Sequence, residues 1–511
     1  MTTAVDFSDV QGLVRFGFGK MTEASYILLK IRNPNAARGW LGQAQFTTAV
    51  EMNPPPVTAM QIAFTPQGLR ALGVPSRTMS GFSDEFLQGM AGSSNRSQRL
   101  GDIGASSPQQ WNWGGSAKLP DAVLMLFAGP NLLDTWEQAV KVAPWQEGFE
   151  EIGRLDTEDH GEREPFGFID GLSQPIIDWT QSRNPSPNGD QLDYGNVVCL
   201  GEFLLGYKNE YGRYTDRPLL DAHEPFGTEL VDAEDPPGKK DLGKNGTYVV
   251  FRQLEQDVRG FWRFVEESAK ATEISSVEVA EALVGRRLEN GKPLATLRSN
   301  QISGVGEIGS DSQRSRDKLM NQFTYGADPD GTQCPLGAHV RRGNPRTPDL
   351  PGNPGNILSH ALRLLGFGSK HPREDLVASV RFHRLLRRGR EYGPALSPEA
   401  ALQPAVFSEP GRGLHFLAIG SNIERQFEFV QNAWFVKTKF NGLTGESDPL
   451  LGNREPVKGC PFTDSFTIPH HDRVRSRLDG LPRFVTVRGG AYFFLPGIRA
   501  IKFLSKLGVH S

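Results

Sequence analysis

A chain of 511 residues with a net charge of −3 has room for two to four domains and lacks the basic excess that a nucleic acid partner demands. Hydrophobic residues at 38% and charged residues at 23% exclude a disordered chain, while Gly at 57 and Pro at 36 predict a loop-rich globular protein. Three cysteines, Cys199, Cys334 and Cys460, lie too far apart for a disulfide framework or a paired zinc site, and fit a reducing compartment.

The opening MTTAVDFSDVQG is acidic, without an apolar export segment or a twin arginine. The longest apolar run, Ala122 to Gly129, is far short of the about 20 residues that span a bilayer. A cytoplasmic protein with no membrane partner is expected. Ser25 to Ile31 predicts a strand, GWLGQAQFTTAVEM from Gly39 a helix, Met60 to Thr65 a strand, and PQGLRAL a helix opening on Pro66. Gly92 to Leu119 reads as loops, Ala122 to Gly129 as a buried strand, Asn131 to Ala143 as a helix and FEEIGRLD as a closing strand. Between Asp170 and Gly246, QSRNPSPNGDQLDYG and HEPFGTELVDAEDPPGKKDLGKNG are turn-rich and charged. A domain boundary is expected in the second, dividing the chain into 1–235 and 236–511. The order then repeats loosely: strand Thr247 to Leu254, helix Gln256 to Lys270, strands Ser379 to Arg388 and Gly413 to Gly420, helix Asn422 to Trp434, and a strand pair or bent strand from Phe484 to Gly497. Two similar α+β halves are expected, with helices covering one sheet face.

Three segments can carry chemistry. In EPFGFIDGLSQP, Asp170 stands between Gly167 and Gly171; a carboxylate in an apolar wall is equipped for proton transfer, although Asp-Gly is first of all a turn dipeptide. In CPLGAHVRRGNPR, His339 precedes Arg341, Arg342 and Arg346. A lone histidine is more often structural or exposed than a ligand, yet one neutral imidazole is what a haem iron needs on its proximal side; the arginines fit carboxylate partners, an anion site or a solvated face. In FHRLLRRGREYGP, strand alternation turns Arg387 and Arg388 to opposite faces, so one can meet a pocket. No phosphate-binding loop, HExxH or nucleophile elbow is present, and His470-His471 lacks the helical spacing of a metal pair.

Together these segments resemble the dye-decolorizing peroxidases. Gly167 to Gly171 is similar to the family's GxxDG, Cys334 to Arg346 to the stretch bearing its proximal histidine, and Arg387 before Gly389-Arg390-Glu391-Tyr392-Gly393 to its distal arginine and turn. DVQGLVRFGFG, GEFLLGYKNEYG, NGTYVVFRQLEQDVRGFW, SNIERQFEFVQNAW and RGGAYFFLPGIRA extend the resemblance over nearly the whole chain. The length is similar to that of the larger, intracellular-type members. Two departures stand out: Arg390-Glu391 replaces the usual Ile-Pro, and Ala491 stands where members often carry an acid after Gly-Gly. The acid orienting the proximal histidine is therefore open, with Glu424 as candidate.

The resemblance implies an α+β fold of two ferredoxin-like halves, antiparallel sheets with helices on one face, and haem b in the C-terminal half. It implies a peroxidase that reduces hydrogen peroxide and oxidises dyes or small phenolic and aromatic donors in one-electron steps. His339 would bind the iron, and Arg341 and Arg346 would help hold the cofactor. Asp170 would take a proton from peroxide and return it to the departing oxygen, while Arg387 stabilises the charge that develops as the O–O bond breaks. Trp434 and Tyr392 are candidate relays from the surface, set against plain core packing. An ordinary Asp titrates near pH ~4, so an acidic optimum is expected. The competing readings are a haem-handling or haem iron-releasing protein of the same fold, and a haem-free binding module.

Overall fold

The apolar runs become the ladder of one large sheet. The structure, a computed structural model, describes residues 4–115, 118–182, 197–295, 320–321, 323–346, 379–405 and 409–508. Most of the turn-rich segment QSRNPSPNGDQLDYG lies outside the described residues.

The N-terminal half runs β1 (Glu23–Ile31), α1 (Pro34–Gln43), β2 (Thr58–Phe64), β3 (Ala122–Ala128), α2 (Leu133–Val140) and β4 (Phe149–Asp156). Its strands lie in the order β2-β3-β1-β4, all antiparallel. The C-terminal half runs β5 (Thr247–Gln256), α3 (Val258–Thr272), α4 (Ser276–Val284), α5 (His339–Gly343), β6 (Leu386–Arg387), β7 (Arg390–Tyr392), β8 (Gly413–Gly420), a helical segment, and β9 (Val485–Leu495) before α6 (Ile498–Lys506). Its order is β6-β8-β5-β9, with β7 also pairing with β8. Each half is a β-α-β-β-α-β unit with its first and third strands in the middle, the ferredoxin-like arrangement. The halves join edge to edge through the pair Phe494↔Phe64.

Alternation explains the burial. On β3, Leu124 and Leu126 face a core built with Trp40 of α1 and Phe503 and Leu504 of α6. Val123, Met125 and Phe127 face a second core of Leu13, Phe203 and Leu204, supplied by loops. Each such side chain, fully buried, contributes about 1.5–3 kcal/mol. Helices thus cover one face and loops the other. No helix among the described residues is long and apolar enough to cross a membrane.

Four elements depart from the sequence expectation. The helix expected from Gly39 to Met52 is α1, which starts earlier: Asn33 caps the peptide N–H of Asn35 at 3.0 Å, and Pro34 takes the first turn. It stops at Gln43 because the following segment is extended, with the Gly12 N–H donating to the Thr47 carbonyl at 2.8 Å. The stretch Gly92 to Leu119 contains a helix, Ser94–Leu100, capped by Ser93 and closed by Gly101 at φ 75°. Ser379–His383 is a 3-10 turn, so only Leu386–Arg387 of the expected strand joins the ladder. The helix expected over Asn422 to Trp434 is wound as two π-helical segments, Glu424–Glu428 and Val430–Val436. β9 is a single strand bent by a bulge between Val487 and Gly489. A Cβ at Gly489 would stand 2.4 Å from the Trp113 indole nitrogen, so only glycine fits.

Candidate active site

A cavity of about 250 Å³ lies against the sheet of the C-terminal half, walled in part by residues of the N-terminal half such as Leu100 and Phe166. Its floor is the helix-side face of the sheet, with Leu254 of β5, Leu414 and Phe416 of β8, and Val485 and Val487 of β9. Phe427, Val430 and Phe435 of the π-helical segments and Phe166 and Phe168 close other walls. The surround is mainly apolar, and the few polar groups in it converge.

The first group hangs on the GxxDG turn. Gly167 and Gly171 have φ 103° and 77°, which a side chain would strain. Phe166 packs on Phe261 of α3 at 4.5 Å between ring centroids, and the Trp262 indole N–H donates to the Phe166 carbonyl at 3.2 Å. Glu164 fastens the turn: its carboxyl accepts the N–H of Phe166 and of Phe168, each at 3.0 Å, and the Gln256 amide at 2.9 Å. Burial above all pushes Glu164 up to about 7, against those donors.

Asp170 projects from this turn and meets Arg387 of β6, with Oδ1 2.7 Å from the guanidinium. Gln174 fixes β6 at this point: the Arg387 N–H donates to its Oε1 at 3.0 Å and its amide donates back to the Arg387 carbonyl at 3.2 Å. Asp170 and Arg387 keep 35% and 30% of their side chains accessible, toward the cavity they both line. Burial pushes the Asp170 carboxyl up, but the Arg387 charge and the Gly171 N–H outweigh it and hold it below its ordinary value. Arg388 turns the other way and donates to the Leu13 and Val14 carbonyls at 2.9 and 3.1 Å, as strand alternation requires.

His339 opens α5 and lines the same cavity. Its Nδ1 lies 3.1 Å from both carboxylate oxygens of Asp448, and its ring stacks on Phe435 at 5.0 Å. Asp448 also accepts the N–H of Leu450 at 2.9 Å and of Leu451 at 2.7 Å, and is fully buried. Burial pushes its carboxyl up; His339, Arg342 and the Leu451 N–H more than reverse this. Glu424 is not this acid, since it sits exposed on the π-helical segment. An acid at 491 could not be it either: Ala491 pairs with Phe251 on the loop-covered face, away from the cavity. The sequence signal for Asp448 is its place in SDPLL, where an Asp caps the peptide N–H groups that follow.

Arg341 and Arg346 stand behind the wall. Arg341 donates to Asp328 at 3.1 Å and to the Cys334 carbonyl at 2.6 Å; Arg346 donates to Ser173 Oγ at 2.8 Å and lies 3.8 Å over the Phe323 ring. Neither is among the residues lining the cavity, whereas Arg286, which the sequence did not single out, is. Arg286 donates to the Gly291 carbonyl at 2.8 Å, yet its buried Nη2 has no partner among the described residues. Trp434 packs against His383 at 5.3 Å, and Tyr392 stacks on His415 at 4.5 Å. Among the described residues no cluster of three metal-ligating side chains occurs, and no disulfide joins Cys199, Cys334 or Cys460.

The residues fit a haem. His339, its Nδ1 held by a carboxylate, offers Nε2 as a ligand to a cavity with apolar walls, and the Arg286 Nη2, without a partner among the described residues, suits a group that carries carboxylates. No family model matches the sequence. Over 98% of the chain, however, it is 26% identical to the dye-decolorizing peroxidase msp1 of Mycetinis scorodonius, covering 88% of that protein. It is 28% identical to the multifunctional dye peroxidase DyP2 of an Amycolatopsis strain, over 87% of this chain and 81% of that one. Over nearly its whole length the chain is thus similar to dye-decolorizing peroxidases. The crystal structure of the Auricularia auricula-judae dye-decolorizing peroxidase superposes with a TM-score of 0.70 at 22% identity, covering 98% of this chain and 100% of that one. An ancestral D-type member gives 0.68 at 23% identity, over 98% and 99% of the two chains. These likenesses agree with the ferredoxin-like halves.

Proposed function

We propose that this chain is a haem b peroxidase that reduces hydrogen peroxide and oxidises dyes or phenolic and aromatic donors by one-electron steps. The observation that carries the reading is the placing of two ion-paired units on one apolar cavity, Asp170–Arg387 and His339–Asp448. His339 would ligate the iron through Nε2, and Arg286 would hold a haem carboxylate. When bound, the haem supplies the metal centre at which peroxide is cleaved and through which donors are oxidised.

The protein's own groups do the rest. The Asp448 carboxylate keeps the His339 Nδ1 proton in place and makes the ring a stronger donor toward a metal. The depressed Asp170 is a carboxylate at neutral pH. With Oδ1 engaged by Arg387, its Oδ2 accepts the proton of the incoming peroxide and hands it to the departing oxygen, which leaves as water. Arg387, always charged, donates to the oxygen on which negative charge grows. Glu164 keeps the turn, and so Asp170, at a fixed distance from Arg387.

We also propose that the halves divide at 235/236 and that the protein works in the cytoplasm, a placement supported by the few, widely spaced cysteines of the sequence. A protein that merely carries haem has no use for the Asp170–Arg387 pair. An absorbance spectrum of the haemin-loaded protein, before and after one equivalent of peroxide, tests the reading. Rapid conversion of the Soret band, abolished in Asp170→Ala and Arg387→Ala, is expected. A Soret band indifferent to peroxide would overturn it.

A further inference from the structure

The sheet edge sorts the charged residues between Arg387 and Glu391 by face. Arg388 and Arg390 turn to the loop-covered side, where Arg390 donates to the Phe18 carbonyl at 2.7 Å. Arg387 and Glu391 turn to the cavity side, because they lie opposite Ala418 and Leu414 of β8, and Leu414 lines the cavity. Gly389 stands between them without a side chain; a Cβ there would come within 2.4 Å of the His415 carbonyl oxygen. The segment leading to Asp170 crosses over this edge: the Glu158 N–H donates to the Glu391 carbonyl and the Asp170 N–H to the Glu162 carbonyl, each at 3.0 Å.

Glu391 is partly buried; its carboxyl accepts from its own peptide N–H, and among the described residues no ion pair to it is found. The charges that act on it are Asp170 and Glu164 from the turn and Arg390 from the opposite face of its own strand; the Tyr26 phenol feels Arg390 and Glu391. Burial first, helped by the two carboxylates and opposed by its own peptide N–H and by Arg390, pushes Glu391 up to about 7.

We propose that Glu391 passes protons from solvent to Asp170 during turnover, acting through Asp170 and not on the substrate. This rests on the peroxidase reading. Reducing one peroxide to two waters takes two electrons, one from each of two donor molecules, and two protons. The donors release their protons to solvent, so two protons must return to the cavity. Asp170 holds one at a time. Glu391, in its acid form, reloads it and is itself reprotonated from outside.

The test is stopped-flow absorbance on the haem-loaded protein, mixed first with peroxide and then with excess phenolic donor, from about pH 5 to about pH 8. In Glu391→Gln the peroxide-driven change should persist. The donor-driven return should slow on the order of 10- to 100-fold and lose its pH dependence in this window. Glu391→Asp should restore most of the rate. Infrared spectra of the resting, loaded protein should show a carboxyl band that titrates near pH ~7 and is missing in Glu391→Gln. An unchanged return rate and pH profile in Glu391→Gln overturns the relay and leaves the peroxidase reading intact. Equal slowing of both phases, without rescue by Asp, assigns Glu391 a structural role and also overturns it. A wild-type protein that ignores peroxide overturns both.

Discussion

Asp448 is the sharpest place to test the site. Its carboxylate serves three donors at once: the His339 Nδ1, the Leu450 N–H and the Leu451 N–H. Asp448→Ala leaves all three without a partner in a fully buried place. Each orphaned donor costs about 1–3 kcal/mol. Some will turn toward water, so we expect a loss of about 3 kcal/mol, a large part of a total stability of about 5–15 kcal/mol. Asp448→Asn keeps Oδ1 for the two peptide N–H groups and should cost about 1 kcal/mol. It removes the negative charge facing the imidazole. A hydrogen bond to a charged acceptor contributes about 1.5–3 kcal/mol, roughly twice a neutral one. The lost half, about 0.75–1.5 kcal/mol, stabilised the more positive, oxidised metal, so the one-electron potential of the loaded protein should rise by about 30–65 mV. Haemin affinity should fall about 10- to 100-fold. Denaturant unfolding of the cofactor-free protein, haemin titration and spectroelectrochemistry read the three effects. An Asp448→Ala protein as stable as wild type, or an Asp448→Asn protein with unmoved affinity and potential, would refute this account of His339.

The two neighbouring arginines should separate cleanly. Arg387→Ala should fold normally and lose about 100- to 1000-fold in the peroxide step. Arg388→Ala, which leaves the Leu13 and Val14 carbonyls unpaired, should cost about 1–3 kcal/mol of stability and spare the rate per bound haem. His339→Ala should fold yet show no Soret band on haemin addition. Glu164 gives a stability signature in the cofactor-free protein. With its folded pKa raised from 4.5 to about 7, the folded state holds the extra proton, so stability falls as pH rises through that window. Glu164→Gln should flatten that slope in denaturant titrations at about pH 5 and about pH 8; an unaltered slope would show that another group sets it.

Strand alternation made much of this legible. The all-apolar AVLMLFA of β3 reads as a strand buried on both faces, and it is. The same period-two rule puts Arg387 and Arg388 on opposite faces, and the resemblance of the following turn picks Arg387. What stayed hidden depends on long-range approach. Asp448 reaches His339 across 109 residues, and no local pattern near the histidine points to it. Arg286 is one of two adjacent arginines at the end of α4, and only the fold shows that Arg287 pairs with Glu281 while Arg286 faces the cavity. Arg341 and Arg346 looked like cofactor ligands because they lie beside His339 in sequence. The short α5 sends them behind the wall, where Asp328 and Ser173 engage them.

The expected acidic optimum takes a different cause from the structure. The sequence argument rested on Asp170 having an ordinary carboxylate pKa. Arg387 instead holds Asp170 below that value, so its proton-accepting form persists at all pH above about 4, and protonation of Asp170 can only set the low-pH limb. A decline between about pH 5 and about pH 8 needs a group that loses its proton in that range. Glu164 and Glu391, both raised to about 7, are placed to do so. Of the two, Glu164 has its carboxyl occupied by three N–H donors, while Glu391, on the cavity side of the edge strand, accepts from its own peptide N–H. The peroxide step should therefore hold its rate to below about pH 4, and the donor-driven step should lose rate as pH passes about 7. Separate limbs for the two steps in rapid-mixing profiles would bear this out. A single shared limb near pH ~5 in both, removed by Asp170→Asn, would return the control to Asp170 and contradict the ion pair's effect on it.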